Sequence, residues 1–166
     1  MSVRRVTVEE LGDAKELIDT LGRESAKAQH LASPITSISL FRKDERIYLH
    51  PQGGILKVGP RNLFVADKSG LAEIKFLCVL DFYVVNSREG IGFELFTHML
   101  IVERVSPKEL AYDRPSRALV SFLANRFGLQ NGQNQANHFC IFYFRIDIYS
   151  SLYSHVLLQL HMYGIR

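Results

Sequence analysis

The feature that most constrains the fold is a nearly continuous apolar run over residues 74–85, which only Lys75 and Asp81 interrupt. A strand with one face in water alternates apolar and polar residues, whereas an unbroken run is typical of a strand covered on both faces. After it, apolar residues recur at intervals of three and four, the period of a helix. The sequence therefore predicts a central strand followed by a helix over about residues 92–104, with a later helix from Pro115 to Gly128.

The remaining segments predict a longer first helix and several short strands. Thr7 and Glu10 have the spacing of a capping box, which indicates a helix over about residues 8–29, with a possible break at Gly22. A turn is expected at residues 59–62. Period-two segments predict strands over residues 46–50, 54–58, 62–66, 110–113 and 138–146. Strands that alternate with helices indicate the α/β (α+β) class, here a mixed twisted β-sheet flanked by helices.

Length and composition suit one globular domain. The chain has 166 residues, of which 47% are hydrophobic and 22% charged. We assign residues 1–146 to that domain. Over residues 147–166, apolar side chains recur at a fourfold spacing from Ile148 to Leu160, which predicts an extra C-terminal amphipathic helix. We expect this extension to pack on the domain; the alternative is an exposed apolar helix that seeks a partner.

Charge and cysteine content argue against several classes of partner. A net charge of +3 is too weak to indicate nucleic-acid binding. Cys78 and Cys140 lie in apolar runs without a CxxC partner or a nearby histidine, so we expect reduced, buried thiols and no metal site. No secretory signal and no run of about 18 apolar residues is visible, so we expect neither a membrane partner nor export from the cytoplasm.

The segment Ser87-Arg88-Glu89-Gly90-Ile91-Gly92 joins the central strand to the following helix. Glycines let backbone amides approach an anion, and a helix N-terminus carries about half a positive charge. Arg88 can add a charged hydrogen bond to the same anion. A plain turn explains a GxG sequence equally well, and neither a Rossmann fingerprint nor a P-loop is present. By itself this loop is a weak signal for phosphate binding.

A series of short motifs resembles a known family. In order along the chain, these are SAKAQ from Ser25, SPITS from Ser33, KVG from Lys57, LCVLDFYV from Leu77, SREGIG from Ser87, LAYDRPS from Leu110 and QANHF from Gln135. Together they resemble the α-tubulin N-acetyltransferases, a branch of the GNAT acetyltransferase fold. The resemblance extends over residues 11–142 and implies a GNAT-like sheet.

The family resemblance also implies an activity and a set of site residues. It implies transfer of an acetyl group from acetyl-CoA, without a metal, to the luminal-loop lysine of α-tubulin in microtubules, with effects on microtubule stability and a place in the cytoplasm on the cytoskeleton. The implied acetyl-CoA contacts are Phe82, Tyr83, Val84, Arg88, Gly90, Gly92, Phe93, Ser116, Arg117 and Asn125. The implied catalytic residues are Asp113, Cys78 and Gln29. The implied tubulin contacts are Ile35, Lys57, Arg61 and Arg114.

The chemistry of lysine acetylation requires a proton acceptor. The pKa of a lysine side chain is about 10.4, so only about 0.04% of its amine is neutral and nucleophilic at pH 7. Reaction from this small neutral fraction costs about 4.6 kcal/mol. Asp113 at a predicted strand end is the candidate base, with Cys78 either a proton relay or a wall of the pocket. Direct attack in a ternary complex needs no acyl-enzyme. A backbone N–H near residues 82–84 is expected to stabilise the thioester oxygen. Without the resemblance, a helix N-cap is the favoured interpretation of Asp113.

The chain departs from the family pattern near the cofactor. The phosphate loop is shorter by about two residues, and Ala118 and Asn125 replace two lysines of the following helix. One charged phosphate contact is worth about 1.5–3 kcal/mol, so weaker cofactor binding is expected. Two alternatives therefore stay open beside an active enzyme: a catalytically weakened GNAT-like microtubule-binding protein, and a GNAT enzyme with a different amine substrate.

Overall fold

The computed structural model describes residues 2–67, 70–87 and 89–142, except for the side chains of Ala66 and Asp67. Its helices are α1 Lys15–Ala28, α2 Ile91–Glu103 and α3 Arg117–Phe127. Its strands are β1 Arg4–Val6, β2 Arg46–His50, β3 Gly54–Asp67, β4 Gly70–Val84, β5 Ala111–Asp113, β6 Gln133–Asn134 and β7 Phe139–Ile141. The strands form one mixed sheet in the order β1-β2-β3-β4-β5-β7-β6, which confirms the predicted fold class.

The sheet is covered on both faces. In β2, Tyr48 points to a core that contains Leu95 and Phe96 of α2 and Leu123 of α3. Its neighbours Ile47 and Leu49 point to the other face, where α1 contributes Ile18 and Leu21. Burial of both faces explains why this strand reads as apolar at consecutive positions. The helices α2 and α3 thus pack on one side of the sheet and α1 on the other.

A β-bulge interrupts the central hairpin. Lys57 of β3 pairs with Asp81 of β4, but the next residue, Val58, pairs with Val79. Leu80 is therefore the extra residue, which shifts the alternation of side chains along β4 by one. As a result Asp81 points to the α1 side of the sheet and Phe82 to the side of α2 and α3.

The turn that was predicted at residues 59–62 is wrong. Gly59 and Pro60 continue the pairing of β3 with β4, opposite Cys78 and Leu77, so the two predicted short strands are one long strand. Gly59 is needed for close packing, because a Cβ atom there would lie 2.8 Å from Cγ of Glu45. Glycine and proline in succession favour a turn in isolation, but the long-range strand partner overrides that preference.

The first helix is shorter at its start than predicted and is continuous at Gly22. Two short 3-10 turns, separated near Gly12 (φ +48°), precede α1, so the capping prediction is also wrong. Thr7 donates its hydroxyl to the Glu10 carboxylate across 2.9 Å and does not cap the backbone. Gly22 lies where a Cβ atom would be 1.9 Å from the carbonyl oxygen of Thr36, so it permits a close approach of two backbones.

Other predictions have mixed outcomes. The helix α2 and the stop of α3 at Gly128 (φ +67°) are confirmed. The cap of α3 is Ser116, whose hydroxyl accepts from the backbone N–H of Leu119, so Pro115 precedes the helix and Asp113 is no N-cap. β1 and β6 were not predicted, because two or three residues are too few to show a period. Residues 143–146 and the helix predicted over 147–166 lie outside the described residues.

Candidate active site

The two parallel strands β4 and β5 diverge to form a cleft. Their paired register covers only Cys78 with Ala111 and Val79 with Tyr112. Beyond this point β4 leads into α2 and β5 leads into α3, so both helices begin at the same edge of the sheet. The carboxyl ends of parallel strands are the usual place for a site in α/β sheets. The cleft is lined by Gln29, Val79, Leu80, Asp81, Phe82, Asp113, Arg114, Pro115, Ser116 and Leu119.

The start of α2 is shaped for close approach of an anion. Gly90 adopts the left-handed conformation (φ +80°) at the N-cap, with open space around the position of a Cβ atom. The amides of Phe93 and Glu94 both donate to its carbonyl oxygen, and the first amides of a helix have no partner within it. A Cβ atom on Gly92 would lie 3.3 Å from the Phe82 ring. This backbone fits a phosphate group; Arg88 lies outside the described residues.

Asp113 lies at the end of β5 with its side chain 21% exposed. The Arg114 guanidinium donates to its carboxylate across 3.1 Å, while most of the Arg114 side chain stays exposed. Arg114 has a positive φ of 41°, and its backbone N–H donates to the carbonyl oxygen of His138. The turn after β5 is thereby fixed, and it directs a carboxylate into the cleft beside the start of α3.

Cys78 is fully buried one strand away. Burial raises the pKa of its thiol to about 12, and the charge of Asp113 acts in the same direction. The thiol is therefore neutral at physiological pH, with Sγ 3.7 Å from the carbonyl oxygen of Phe76. Nucleophilic cysteines have lowered pKa values, so this environment does not suit a thiolate nucleophile. The prediction of buried, unpaired cysteines is confirmed for Cys78 and Cys140.

Gln29 reaches the cleft from the end of α1 through a buried network. Its Nε2 donates to Ser25 Oγ across 2.8 Å and to Asp81 Oδ1 across 3.1 Å. Ser25 Oγ donates to the same carboxylate oxygen, and Thr36 Oγ1 donates to the other. Sequence reasoning missed the roles of Ser25 and Thr36; the one available signal was a charged residue, Asp81, inside an apolar run.

The predicted partner-contact residues differ in exposure. Ile35 and Arg114 have side chains on the surface near the cleft. Lys57 is only 5% exposed, and its Nζ donates to the carbonyl oxygen of Ile35, so its ammonium group does not face a partner. Arg61 is half-buried in an ion pair with the buried carboxylate of Glu45. The structure thus places Lys57 beneath the surface that Ile35 helps to form and holds Arg61 against Glu45.

The predicted cofactor contacts fall into two groups. Phe82 and Ser116 line the cleft, although the Phe82 ring packs against Phe96 and Phe122. The remaining described members lie outside its lining: Tyr83, Val84, Gly90, Gly92, Phe93, Arg117 and Asn125. Of these, Arg117 and Asn125 are exposed along α3, and Phe93 stacks on Phe127.

Neither a membrane-spanning helix nor a metal-binding cluster is present among the described residues. No helix in residues 2–67, 70–87 and 89–142 is both long and apolar enough to cross a membrane. Within the same ranges, no cluster of three or more histidine, cysteine, aspartate or glutamate side chains is arranged to hold a metal ion.

Known proteins are similar to this chain in sequence. A protein named alpha-tubulin N-acetyltransferase from Anopheles gambiae is 42% identical over 151 residues, which cover 84% of this chain and 31% of that protein. Proteins of the same name from Tetrahymena thermophila and, numbered 1, from Danio rerio are 44% and 43% identical, over 80% and 76% of this chain and 36% and 47% of their own lengths. The chain thus spans less than half the length of these three relatives.

A solved structure titled as a probable acetyltransferase superposes with a TM-score of 0.51 at 16% identity, over 89% of this chain and 99% of that one. At this identity the superposition supports the fold alone. The family model described as "GNAT acetyltransferase, Mec-17" matches residues 2–150. With a match over most of its length, and with the diverging β4–β5 cleft and the glycine-bearing helix start described above, the chain belongs to the GNAT acetyltransferase, Mec-17 family.

Proposed function

We propose that this chain is an acetyl-CoA-dependent lysine N-acetyltransferase that acts on α-tubulin. The observation that carries the proposal is the position of Asp113, a carboxylate that lines the cleft beyond the paired register of β4 and β5, at the end of the strand that leads into α3. Family membership and the names of the relatives support the reaction and the substrate.

The chain supplies a backbone cradle for the cosubstrate. The left-handed Gly90 and the close approach at Gly92 leave room for the first amides of α2 to bind the pyrophosphate of acetyl-CoA. Ser116 and Arg117 at the start of α3, and Asn125 near its end, would extend this binding surface along the helix. Arg126 lies nearby, 5.3 Å over the Phe93 ring. When bound, acetyl-CoA supplies the activated acetyl carbonyl. Near Phe82, β4 still pairs with β3 but its register with β5 has ended, and its backbone N–H groups on that side would be available for the acetyl oxygen.

The transfer itself needs deprotonation of the substrate lysine. Asp113 accepts this proton, directly or through water. The transfer offsets part of the free energy of about 4.6 kcal/mol that is needed to deprotonate the lysine at neutral pH. The free amine would then attack the acetyl carbonyl carbon, so no acyl-enzyme is required. As the carbon–sulfur bond breaks, coenzyme A leaves as a thiolate and takes up the proton that the nitrogen loses on forming the amide. Cys78 stays protonated and shapes the wall beside Asp113.

The proposed substrate is the lysine on the luminal loop of α-tubulin in microtubules, where acetylation would affect their stability. The protein would then act in the cytoplasm, on the cytoskeleton. The resemblance along residues 11–142 and the relatives' names support this choice. Exposed Ile35 and Arg114 are the proposed direct contacts, and an arginine suits an acidic partner. Lys57, beneath this surface, and half-buried Arg61 would contribute indirectly.

The proposal is tested by incubating the purified chain with microtubules and acetyl-CoA and mapping acetylated lysines by mass spectrometry. A single modified luminal lysine of α-tubulin is the expected result. Co-sedimentation without modification would instead support the catalytically weakened microtubule-binding protein, which the short 87–92 loop favours. Modification of other amines in preference to tubulin would support the third candidate, an enzyme with a different amine substrate.

A further inference from the structure

We propose that Asp81 is a positioning residue that fixes the Gln29 amide, so that the amide oxygen of Gln29 faces the cleft as an acceptor for the substrate amine. This inference rests on the proposed lysine acetyltransferase function. It concerns two residues that lie on different elements and are 52 positions apart in the chain.

Asp81 is a buried residue held by neutral donors. Its side chain is only 4% exposed, yet it is not paired with a guanidinium within hydrogen-bonding distance among the described residues. Three neutral donors satisfy it instead: Ser25 Oγ at 2.7 Å, Thr36 Oγ1 at 2.5 Å and Gln29 Nε2 at 3.1 Å. A buried carboxylate needs such partners, because leaving it unpaired costs several kcal/mol of solvation. Asp81 therefore dictates which groups around it must be donors.

The neighbours of Gln29 fix the orientation of its side-chain amide. The oxygen and nitrogen of a glutamine amide have the same shape, so their assignment depends on the neighbours. A carboxylate only accepts hydrogen bonds, which requires the NH2 group of Gln29 to face Asp81. That group also donates to Ser25 Oγ across 2.8 Å, so its two N–H donors are both engaged. No described residue donates to Gln29 Oε1, which is the part of the amide left for the cleft.

The acceptors in the cleft match the donors of a lysine side chain. A lysine ammonium has three donors and no acceptor. A cleft that presents Gln29 Oε1 on one side and the Asp113 carboxylate on the other offers two acceptors to one nitrogen. Gln29 can hold the nitrogen while Asp113 takes its proton. The reversed amide would present two N–H donors to the same nitrogen and would repel it, so the orientation set by Asp81 selects for an amine.

The decisive test exchanges the polarity of the pair. Gln29→Glu keeps the shape but places a second carboxylate against Asp81, and we expect the KM for a lysine peptide to rise about tenfold or more, with the KM for acetyl-CoA changed less than about twofold. Asp81→Asn alone should raise the KM for the peptide about two- to threefold, because its amide nitrogen can face the rotatable Thr36 hydroxyl while its oxygen still accepts from Gln29, but without the carboxylate charge. In the double variant the new amide at position 81 donates to the new carboxylate at position 29, and we expect recovery of about tenfold over Gln29→Glu. Losses that simply add would overturn the proposal.

A milder pair of variants covers the case in which Gln29→Glu does not fold. Ser25→Ala and Thr36→Val each remove one hydrogen bond from the Asp81 carboxylate, but only Ser25 also contacts Gln29. We expect Ser25→Ala to raise the KM for the peptide several-fold and Thr36→Val to leave it near wild type. Equal effects of both variants would indicate a purely structural role for Asp81 and would overturn the inference.

A readout without catalysis separates this inference from the proposed function. The side-chain NH2 signals of Gln29 in a 15N NMR spectrum should shift in Asp81→Asn and Ser25→Ala, and stay in place in Thr36→Val. If the wild-type chain acetylates no lysine but these signals behave as expected, the proposed function fails and the positioning stands. If the chain is active and the signals do not respond to Asp81→Asn, the positioning is wrong.

Discussion

Lys57 donates a 2.5 Å hydrogen bond from Nζ to the carbonyl oxygen of Ile35, across the sheet surface and beneath the loop that follows α1. Burial lowers the pKa of this lysine, while the nearby carboxylates of Glu45 and Asp81 act in the opposite direction. A cation in this position supports the backbone of the exposed Ile35 and cannot reach a partner directly. The stability of that loop therefore depends on Lys57.

We expect Lys57→Met to lower the free energy of unfolding by about 2 kcal/mol, because it leaves the Ile35 carbonyl oxygen without its charged donor. Urea unfolding followed by circular dichroism measures the change. Lys108→Met, at an exposed position, is the matched control and should be neutral. Equal midpoints for the two variants would contradict the supporting role of Lys57.

Asp113→Asn should lower turnover by about 100-fold or more, because an amide cannot accept the proton of the substrate amine. The Kd for coenzyme A should stay within about twofold, since the phosphate cradle at α2 is unchanged. Steady-state kinetics and equilibrium dialysis measure the two quantities. Glu9→Gln removes an exposed carboxylate far along the chain and serves as the control. Turnover equal to wild type would remove Asp113 from the mechanism.

The two left-handed glycines at helix ends allow a test of the phosphate cradle. Gly90 (φ +80°) and Gly128 (φ +67°) both have open space where a Cβ atom would lie. Replacing either by alanine should cost about 1 kcal/mol of stability, since alanine disfavours this conformation. Only Gly90→Ala should weaken coenzyme A binding, because only Gly90 begins α2. Isothermal titration calorimetry measures the Kd for coenzyme A of each variant. Equal Kd values would contradict a role for the start of α2 in phosphate binding.

Replacement of Cys78 by alanine should leave the pH dependence of the reaction unchanged. Because burial raises the pKa of its thiol to about 12, the group stays protonated throughout the neutral range and ionises only at strongly alkaline pH. The pH–rate profile of Cys78→Ala should therefore have the wild-type shape between about pH 6 and 9. Loss of an apparent pKa from that profile in the variant would assign Cys78 a proton-transfer role.

Glu103 should make the fold sensitive to acid. Burial alone would raise the pKa of this carboxyl, but hydrogen bonds from Arg46 and Tyr48 outweigh burial and hold the pKa below its usual range. A lowered pKa contributes stability above the unfolded-state pKa, and that stability is lost as pH falls through the folded-state value.

Glu103→Gln should accordingly cost about 1–2 kcal/mol at neutral pH and progressively less below about pH 4. Urea midpoints measured across this range test the expectation, with Glu16→Gln, an exposed position, as the control. A Glu103→Gln penalty that did not shrink on acidification would show that ionisation of Glu103 does not stabilise the fold.

The local sequence pattern was sufficient to predict those elements whose conformation depends mainly on their own residues. The helix α2 and the end of α3 at Gly128 follow from apolar spacing and from a glycine at a C-terminus, and both are present. Pattern failed where a distant segment decides the conformation. Gly59 and Pro60 favour a turn locally, yet pairing with Cys78 and Leu77 keeps them in a strand.

The candidate site likewise contains residues that contiguous motifs identify and residues that only folding brings together. The DRPS motif and the glycine loop identify Asp113 and Gly90 from the sequence, because each motif is contiguous. The partners of Asp81 were out of reach, since Ser25, Gln29 and Thr36 come together only after α1 has packed across the sheet. The burial of Lys57 was out of reach for the same reason: hairpin charges are usually solvated, and only the loop over Lys57 makes it buried.

By itself the sequence determined the sheet-and-helix class, the family, and the two segments that flank the cleft, because these depend on residues a few positions apart. Tertiary structure alone decided the bulge at Leu80, the burial of Lys57 and the orientation of Gln29. The physical reason is that burial and hydrogen-bond partners are properties of the packed chain. A side chain becomes a donor, a support or a surface contact only once distant segments have closed around it.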